Sequence, residues 1–440
     1  MSTIFAQGQN VWTQTSHQLC RIESALGEGG QGEVYRVSVE GRPAAMKWYF
    51  EQFTTAQHKA NLETLVKKRP PTNRFLWPIE LVSAPGKPGF GYLMPLREPR
   101  YKGIADLMKR RIDPTFRALA TAGFELAHSF LQLHSKGLCY RDISFGNVFF
   151  DPDTGEILIC DNDNVSVDGA TEGGVLGTPR FMAPEVVRGD ASPSIQTDLF
   201  SLAVLLFYIF VVHHPLEGQK ELLIHSFDLP AMTQLYGSEP VFIFDPDEPS
   251  NRPVQGFHDN AFYFWPIYPQ FLRDLFIRAF TEGIHDPTHG RIREGEWRAA
   301  MIQLRDAIHY CQFCGTQNFH QADGREDSAS VAGICWNCNK RLKLPFRIRL
   351  GKHIVMLNHD TQLFPHHVDD RSPYDFSRAI AQVSRHPEHP DVWGLRNLSD
   401  AKWFCSTARD PQPAEVPPGL NVTLQSGAEI NFGKMAGEII

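Results

Sequence analysis

Aromatic and β-branched residues crowd residues 33–39 (EVYRVSV), 44–50 (AAMKWYF) and 90–96 (FGYLMPL), the composition of strands. Between the last two, HKANLETLVKK spaces Leu62, Leu65 and Val66 onto one face of a helix and leaves Glu63 beside them. Further on, LAHSFLQLHSKG reads as a helix, ILIC as a short strand, and EWRAAMIQLRDAI as a closing helix. The apolar run from Leu199 to Val212 is fourteen residues long, too short to span a bilayer and suited to a buried helix. From about Arg341 the pattern turns β-like. RLKLPFRIRL puts Leu342, Leu344, Phe346, Ile348 and Leu350 on one face, and Pro/Gly turns (HPEHP, DPQP, PPG) follow with no helix after Ala381. The class is α+β without internal repeats, and the Pro- and Asp-rich stretch from His214 to Asp259 exceeds an ordinary connection.

Composition fits this picture. At 440 residues, 42% hydrophobic and 21% charged, the chain has material for two or three domains. A net charge of −7 and a pI near 6.2 argue against a dedicated nucleic-acid binder. MSTIFAQGQNVW has neither a basic n-region nor an apolar core, so the expectation is a cytoplasmic protein without a signal peptide. In that compartment eight cysteines need a reason other than disulfides. Cys20, Cys139, Cys160 and Cys405, scattered among apolar neighbours, read as inert core thiols.

The chemistry concentrates in YRDISFGN…CDND. Asp142 supplies a carboxylate that can orient a hydroxyl; Asn147, five residues on, and Asp161, nineteen residues on, supply an amide and a carboxylate for Mg²⁺. LGEGGQGEVY places Gly27, Gly29 and Gly32 at G-x-G-x-x-G spacing ahead of Val34, a turn whose N–H groups can cradle phosphates; a ligand-free glycine hairpin is the bland alternative. The strand that follows makes it unlike a dinucleotide-binding turn, which opens a helix. Lys47 lies fifteen residues after Gly32, in the strand that carries Ala44, Ala45 and Met46. An ion pair with Glu63 would hold its ammonium against phosphates, although an exposed helix glutamate is the alternative for Glu63, and Glu51 is too near in sequence to serve. Met94 ends a strand leading into a segment fit for an adenine slot, GTPRFMAPE supplies Thr178, Ala183, Pro184 and Glu185, and Asp198 begins the buried helix.

Taken in order, these parts resemble a eukaryotic-type protein kinase domain over residues 1–308, with an N-lobe of about 18–96 and a C-lobe of about 97–308. The resemblance implies the two-lobed kinase fold, Asp142, Lys47 and Glu63 as catalytic residues, and Mg²⁺ (or Mn²⁺) on Asn147 and Asp161. It also implies ATP held by Gly27, Gly29, Gly32, Val34, Ala45, Lys47, Met94 and Phe149. Arg291 corresponds to the arginine that pairs with Glu185 in such domains. The chain departs from the pattern at four places. Ser144 stands where serine/threonine kinases carry lysine, the usual Asp-Phe-Gly reads Asp161-Asn162-Asp163, the usual histidine before Arg141 is Tyr140, and Gln31 tips the glycine loop. Gly177-Thr178-Pro179 resembles serine/threonine kinases, and Ser166 or Thr171 could be phosphorylated to fill a basic pocket at Arg141, or could be plain loop hydroxyls.

Cys311-Gln-Phe-Cys314 and Cys335-Trp-Asn-Cys338, twenty residues apart, give C-x₂-C-x₂₀-C-x₂-C. Four thiolates complete a tetrahedral, structural Zn²⁺ site in a segment of about 309–340 that looks like a zinc ribbon. Its acidic interior loop, GREDSAS, offers nothing to nucleic acid. Residues 341–440 resemble a small all-β forkhead-associated (FHA) sandwich, with Lys352 in the arginine position, Ser377-Arg378 for its Ser-Arg motif, Asn397, and the ending VTLQSGAEINFG. The phosphothreonine-reading set is partial, which favours a scaffold sandwich, and His366-His367 read as a solvated loop. Kinase, ribbon and FHA-like tail together resemble bacterial kinases of tellurite-resistance-type phosphorylation systems. That resemblance implies protein substrates, the kinase itself among them, and a phosphatase and a von Willebrand-type domain protein as partners. The rival reading is a nucleotide-binding pseudokinase scaffold that recruits partners through the ribbon and tail.

Overall fold

The structure is a computed structural model and describes residues 3–169, 177–320 and 333–440. It divides into two compact units: Met1–Trp265 with Arg273–Arg298, and Pro266–Leu272 with Ala299–Ile440.

The first unit begins with a closed antiparallel barrel of β1 (Asn10–Thr13), β2 (Leu19–Glu28), β3 (Gly32–Val39), β4 (Arg42–Tyr49), β5 (Glu80–Ala84) and β6 (Lys87–Met94), in the order β1-β2-β3-β4-β6-β5. It closes through Trp12 opposite Ser83, so it reaches back beyond residue 18, and Phe5 is buried in it. Strand alternation sends Val11, Cys20, Tyr35, Met46, Trp48 and Leu93 into one cluster filling the barrel. The opposite face of β4 and β6 carries Ala45, Tyr49, Tyr92 and Met94, and helix α1 (Ala56–Lys67) covers it with Leu62 and Val66. Thr55 starts that helix by accepting the His58 N–H.

Below the barrel the core is helical. In the helix Ile195–Val211 every residue from Thr197 to Val211 is buried, as its all-round apolar sequence requires, and a Ser194–Thr197 capping box fixes its start. The stretch His214–Asp259 is a cover for this core rather than a loose loop. Its Phe242 packs on Phe207, Phe280 and Trp265. The buried Asn251 amide donates to the carbonyls of Leu216 (2.9 Å) and Val241 (2.7 Å), pinning two distant parts of the stretch together.

In the second unit, the hairpin Ile308–Tyr310 with Gln317–Phe319 precedes a two-sheet antiparallel sandwich. The six-stranded sheet runs His353–Met356, Arg347–Leu350, Ala436–Ile439, Glu429–Asn431, Trp403–Ser406, Ala414–Val416; the four-stranded sheet runs Gln362–Leu363, Ala381–Arg385, Trp393–Asn397, Asn421–Thr423. Ile348, Leu350, Val383, Leu395, Trp403 and Ile430 share its core. The expected strand through residues 341–350 is shorter, Arg347–Leu350, because Leu342 packs with Cys311 and Cys335 instead. His366 and His367 do not lie in a solvated loop. Both are 2% exposed, with His367 bonded to Asp306 (3.2 Å) and His366 in an aromatic nest of Phe364, Tyr374 and Phe376. Among the described residues no helix is long and apolar enough to cross a membrane.

Candidate active site

The loop carrying Asp142 hangs from a buried polar hub. Asp198, at the start of the helix Ile195–Val211, accepts the backbone N–H groups of Tyr140 and Arg141 (3.0 Å for the latter), and Arg141 takes a left-handed conformation with φ 74°. His134, at the end of the helix Phe116–His134, bridges Asp198 (3.2 Å) and Glu294. Burial alone would lower its pKa, but bonds to the two carboxylates raise it to about 9, so His134 is an imidazolium at neutral pH. The Tyr140 hydroxyl donates to the Cys160 carbonyl, tying the Asp142 loop to the strand that ends at Asp161.

The half-buried Asp142 carboxylate receives the Thr178 hydroxyl on Oδ1 at 2.8 Å and the Asn147 amide on Oδ2 at 3.1 Å. Each carboxylate oxygen still has a lone pair for a further hydroxyl. Because Asn147 Nδ2 also donates to the Asp142 carbonyl (2.8 Å), its Oδ1 is turned away and left to accept. Pairing of Val148 with Ile159, and the Cys160 N–H on the Asn147 carbonyl at 2.8 Å, set Asn147 alongside Asp161. Asp161 has φ 48°, and its side chain is 40% exposed. Burial raises its pKa against the pull of Lys47.

Lys47 closes the site from the barrel side. Its side chain is 6% exposed, and Nζ lies 3.5 Å from Asp161, 3.4 Å from Gln31 Oε1 and 2.9 Å from Asp163. Burial works to lower its pKa, yet Asp163 and Asp161 carry it above the ordinary lysine value. Lys47 thus reaches Asp161, Asn147 reaches Asp142, and Asp142 is near enough to act on the charge of Asp161.

Glu63 is a correction. It sits on the exposed side of α1, whose buried residues are Leu62 and Leu65, and the partner of Lys47 is Asp163, two residues past Asp161. The register explains it. Lys47 and Tyr49 share a strand face, and Tyr92 lies opposite Lys47, so two tyrosine hydroxyls converge where the carboxylate sits (Tyr49 at 2.6 Å, Tyr92 at 3.1 Å). That side chain is fully buried, and burial would raise its pKa, but Lys47 and then Tyr49 hold it low. Sequence reasoning missed Asp163, Tyr49, Tyr92 and His134; the second acid of CDND and the i, i+2 parity of Lys47 and Tyr49 were the available signals, whereas nothing local marked His134.

Among the expected nucleotide contacts, Val34, Ala45 and Met94 join Lys47 on one sheet face, since Val34 pairs with Lys47 and Ala45 with Met94. Phe149 packs instead with Leu76, Tyr101 and Leu158, with the Arg97 guanidinium 4.1 Å over its ring. Gly32 is required by packing, because a Cβ there would stand 2.1 Å from the Trp48 carbonyl oxygen. At Gly27 a Cβ would meet nothing within 4 Å, and at Gly29 only the Gly32 carbonyl at 3.9 Å. Glu185 and Arg291 form the expected buried pair (3.0 and 2.9 Å). Ser166 is held in a strand opposite Cys139, while Thr171 lies outside the described residues. Burial raises the pKa of the Cys20 thiol to about 11 and of Cys160 to about 12, as inert core thiols require.

In the second unit the Sγ atoms of Cys311, Cys314, Cys335 and Cys338 all lie within 4.8 Å of one another, with Cys311–Cys338 at 3.6 Å and Cys314–Cys335 at 3.7 Å. A tetrahedron with metal–sulfur bonds of about 2.3 Å has edges of about 3.8 Å, so the donors fit Zn²⁺. Gly315 (φ 73°) and Asn339 (φ 55°) reverse the chain after each cysteine pair, and the Phe313 N–H and Asn318 amide point at the Cys311 and Cys335 sulfurs. The loop GREDSAS lies outside the described residues. In the sandwich, Lys352 is in an exposed turn beside Asp370, and Arg378 is paired with Asp400. Asn397 is fully buried and committed to the Ala401 and Val416 carbonyls.

The first unit thus joins a closed antiparallel barrel to a helical core and carries the Lys47 ammonium, the Asn147 amide and the Asp142 and Asp161 carboxylates. The family model "Protein kinase domain" matches residues 20–253, more than half of the chain, and the chain belongs to that family. The DNA damage-responsive serine/threonine-protein kinase RqkA of Deinococcus radiodurans is 29% identical over 206 residues, covering 44% of this chain and 30% of that protein. The probable serine/threonine-protein kinase CCRP1 of Zea mays is 32% identical over 119 residues, covering 26% of this chain and 19% of the relative. The protein kinase C delta type of Mus musculus is 37% identical over 93 residues, 20% of this chain and 13% of its own. The chain spans less than a third of the length of these relatives.

Proposed function

We propose that the protein transfers the γ-phosphate of ATP to serine or threonine hydroxyls of protein substrates, itself included. The observation that carries this reading is the pairing of Lys47 with Asp161 and of Asn147 and Thr178 with Asp142, two groups set side by side by the Val148–Ile159 strand pair. Asp142 orients the acceptor hydroxyl and takes its proton as the hydroxyl oxygen bonds to the γ-phosphorus and the bond to the ADP oxygen breaks. Lys47 steadies the phosphates as a compact charge. Asn147 Oδ1 and the exposed Asp161 carboxylate are the donors for Mg²⁺ (or Mn²⁺), which when bound neutralises phosphate charge. Gly27 and Gly29, free of steric demand from the protein, suit close approach of phosphates to backbone N–H groups, and Val34, Ala45 and Met94 form an apolar adenine wall. Serine/threonine preference is supported by Thr178 on Asp142 and by the relatives' names.

The four cysteines would hold a structural Zn²⁺ with no open coordination position. The sandwich, its Asn397 engaged in its own backbone, fits an FHA-like scaffold better than a phosphopeptide reader. A phosphatase and a von Willebrand-type domain protein are the partners suggested by the resemblance of the whole architecture, and a cytoplasmic site of action fits those partners.

The test is transfer of labelled γ-phosphate by the full chain to itself and to generic acceptors. Asp142→Asn should reduce it at least about 100-fold, the lower end of what a positioned acid–base group supplies; equal labelling by both proteins sinks the reading. A pseudokinase scaffold draws support from the buried, uncharged Ser144 and from Asn162, sealed in the core on the Ile159 carbonyl. It predicts stabilisation by Mg²⁺-ATP without turnover.

A further inference from the structure

We infer that Asp163, held by Tyr49 and Tyr92, is the residue that positions Lys47, and that Glu63 on helix α1 has no part in setting it. The inference rests on the kinase reading above and goes beyond it, since the sequence resemblance assigns that task to Glu63 on α1. The Asp163 side chain is fully buried and accepts three hydrogen bonds: Lys47 at 2.9 Å, Tyr49 at 2.6 Å and Tyr92 at 3.1 Å. All three donors belong to neighbouring barrel strands, Lys47 and Tyr49 on β4 and Tyr92 opposite Lys47 on β6. A carboxylate so enclosed has one stable place, and the ammonium beside it inherits that place.

The geometry has a consequence for control. A lysine paired with a glutamate on a helix can be released when the helix swings, because the two partners ride on separate bodies. Here the partner sits two residues after Asp161, in the short turn Asn162–Asn164, so the metal-ligating carboxylate and the clamp move together, and three hydrogen bonds tie that turn to the barrel strands that carry Lys47. Glu63 is exposed, and α1 meets the sheet through Leu62, Val66 and the His58 ring, 4.4 Å from that of Tyr49, rather than through an ion pair to Lys47. The loss of the usual glycine and phenylalanine at 162–163 is therefore a replacement: the aspartate occupies the position that would otherwise need a carboxylate from the helix.

The full chain is assayed with labelled ATP, alongside Asp142→Asn and Lys47→Ala as references. Glu63→Ala should stay within about twofold of the parent. Asp163→Asn should lose about 10- to 100-fold in kcat/KM, the range seen when an outer group that orients a functional one is removed. Asp163→Glu should recover part of the loss, which a merely structural defect would not. Adding Asp163→Asn to Lys47→Ala should cost little more, since both remove one function. A Glu63→Ala defect as deep as that of Lys47→Ala overturns the inference, even if Asp163→Asn fails to fold; so does a fully active Asp163→Asn. If the parent and Asp142→Asn are both inactive, the kinase reading fails by itself. The clamp is then read from the thermal shift with Mg²⁺-ATP, which Asp163→Asn should diminish and Glu63→Ala should leave unchanged; the reverse ranking overturns it.

Discussion

His134 shows how one buried side chain can tie stability to pH. Its imidazolium lies between Asp198 and Glu294, and its pKa is raised to about 9 from an ordinary value of 6.5. A group whose folded pKa is raised contributes fully below the unfolded value and loses that contribution as pH climbs through the folded one. Stability should therefore fall between about pH 6.5 and pH 9, by up to about 3 kcal/mol from this site. Urea denaturation of the parent and of His134→Gln across that window measures it: the variant should be weaker at pH 6.5 and should lack this part of the slope, and parallel curves would refute the assignment. His134 could not be found from local sequence, because its partners lie 64 and 160 residues away. Asp142, Asn147 and Asp161 could be found, because a tight turn and one strand pair bring them together almost regardless of the remaining fold.

Among the elements, the hairpin of β2 and β3 separates two uses of glycine that sequence spacing treats alike. At Gly32 a Cβ would stand 2.1 Å from the Trp48 carbonyl oxygen, so Gly32→Ala must force β3 from β4 and should cost about 1–3 kcal/mol. Gly27→Ala meets no protein atom within 4 Å and should leave stability within about 0.5 kcal/mol while raising the KM for ATP. Thermal melts and an ATP titration of the two variants distinguish these roles, and equal destabilisation would argue against the division. Strand faces were legible at this scale, since parity alone groups Ala45 with Lys47, and the register of β3 on β4 adds Val34. The orientation of α1 was not. Its helical period placed Leu62 and Val66 inward correctly but said nothing about how far round the helix Glu63 would fall from Lys47.

At the scale of the whole molecule, the contribution of the cysteine cluster depends on something the chain does not itself supply. Four sulfurs drawn within 4.8 Å, with hydrogen-bond donors aimed at them, would repel one another as thiolates without a cation. Purified protein should contain about one zinc per chain, and a chelator or Cys314→Ser should remove it and lower the melting temperature of the second unit. Metal analysis by mass spectrometry with parallel melts checks this; zinc-free protein of unchanged stability would exclude a structural metal. The last turns of the helix Glu294–Asp306 join the second unit, together with the cysteine segment and the sandwich. Asn358 shows why: its amide donates to the Ile308 carbonyl at 2.7 Å, joining segments 50 residues apart.

The order of short motifs was enough to identify the family and the cluster of four cysteines, because each of these is built from neighbours in the chain or from pairs with stereotyped spacing. What the chain order left open was which of several carboxylates answers Lys47. That depended on a contact 116 residues long, decided by barrel register and by two tyrosine hydroxyls whose convergence exists only once β4 and β6 lie side by side. Local chemistry is written in spacing, whereas the choice between equivalent charges is made by burial and hydrogen-bond geometry, and those belong to the folded chain.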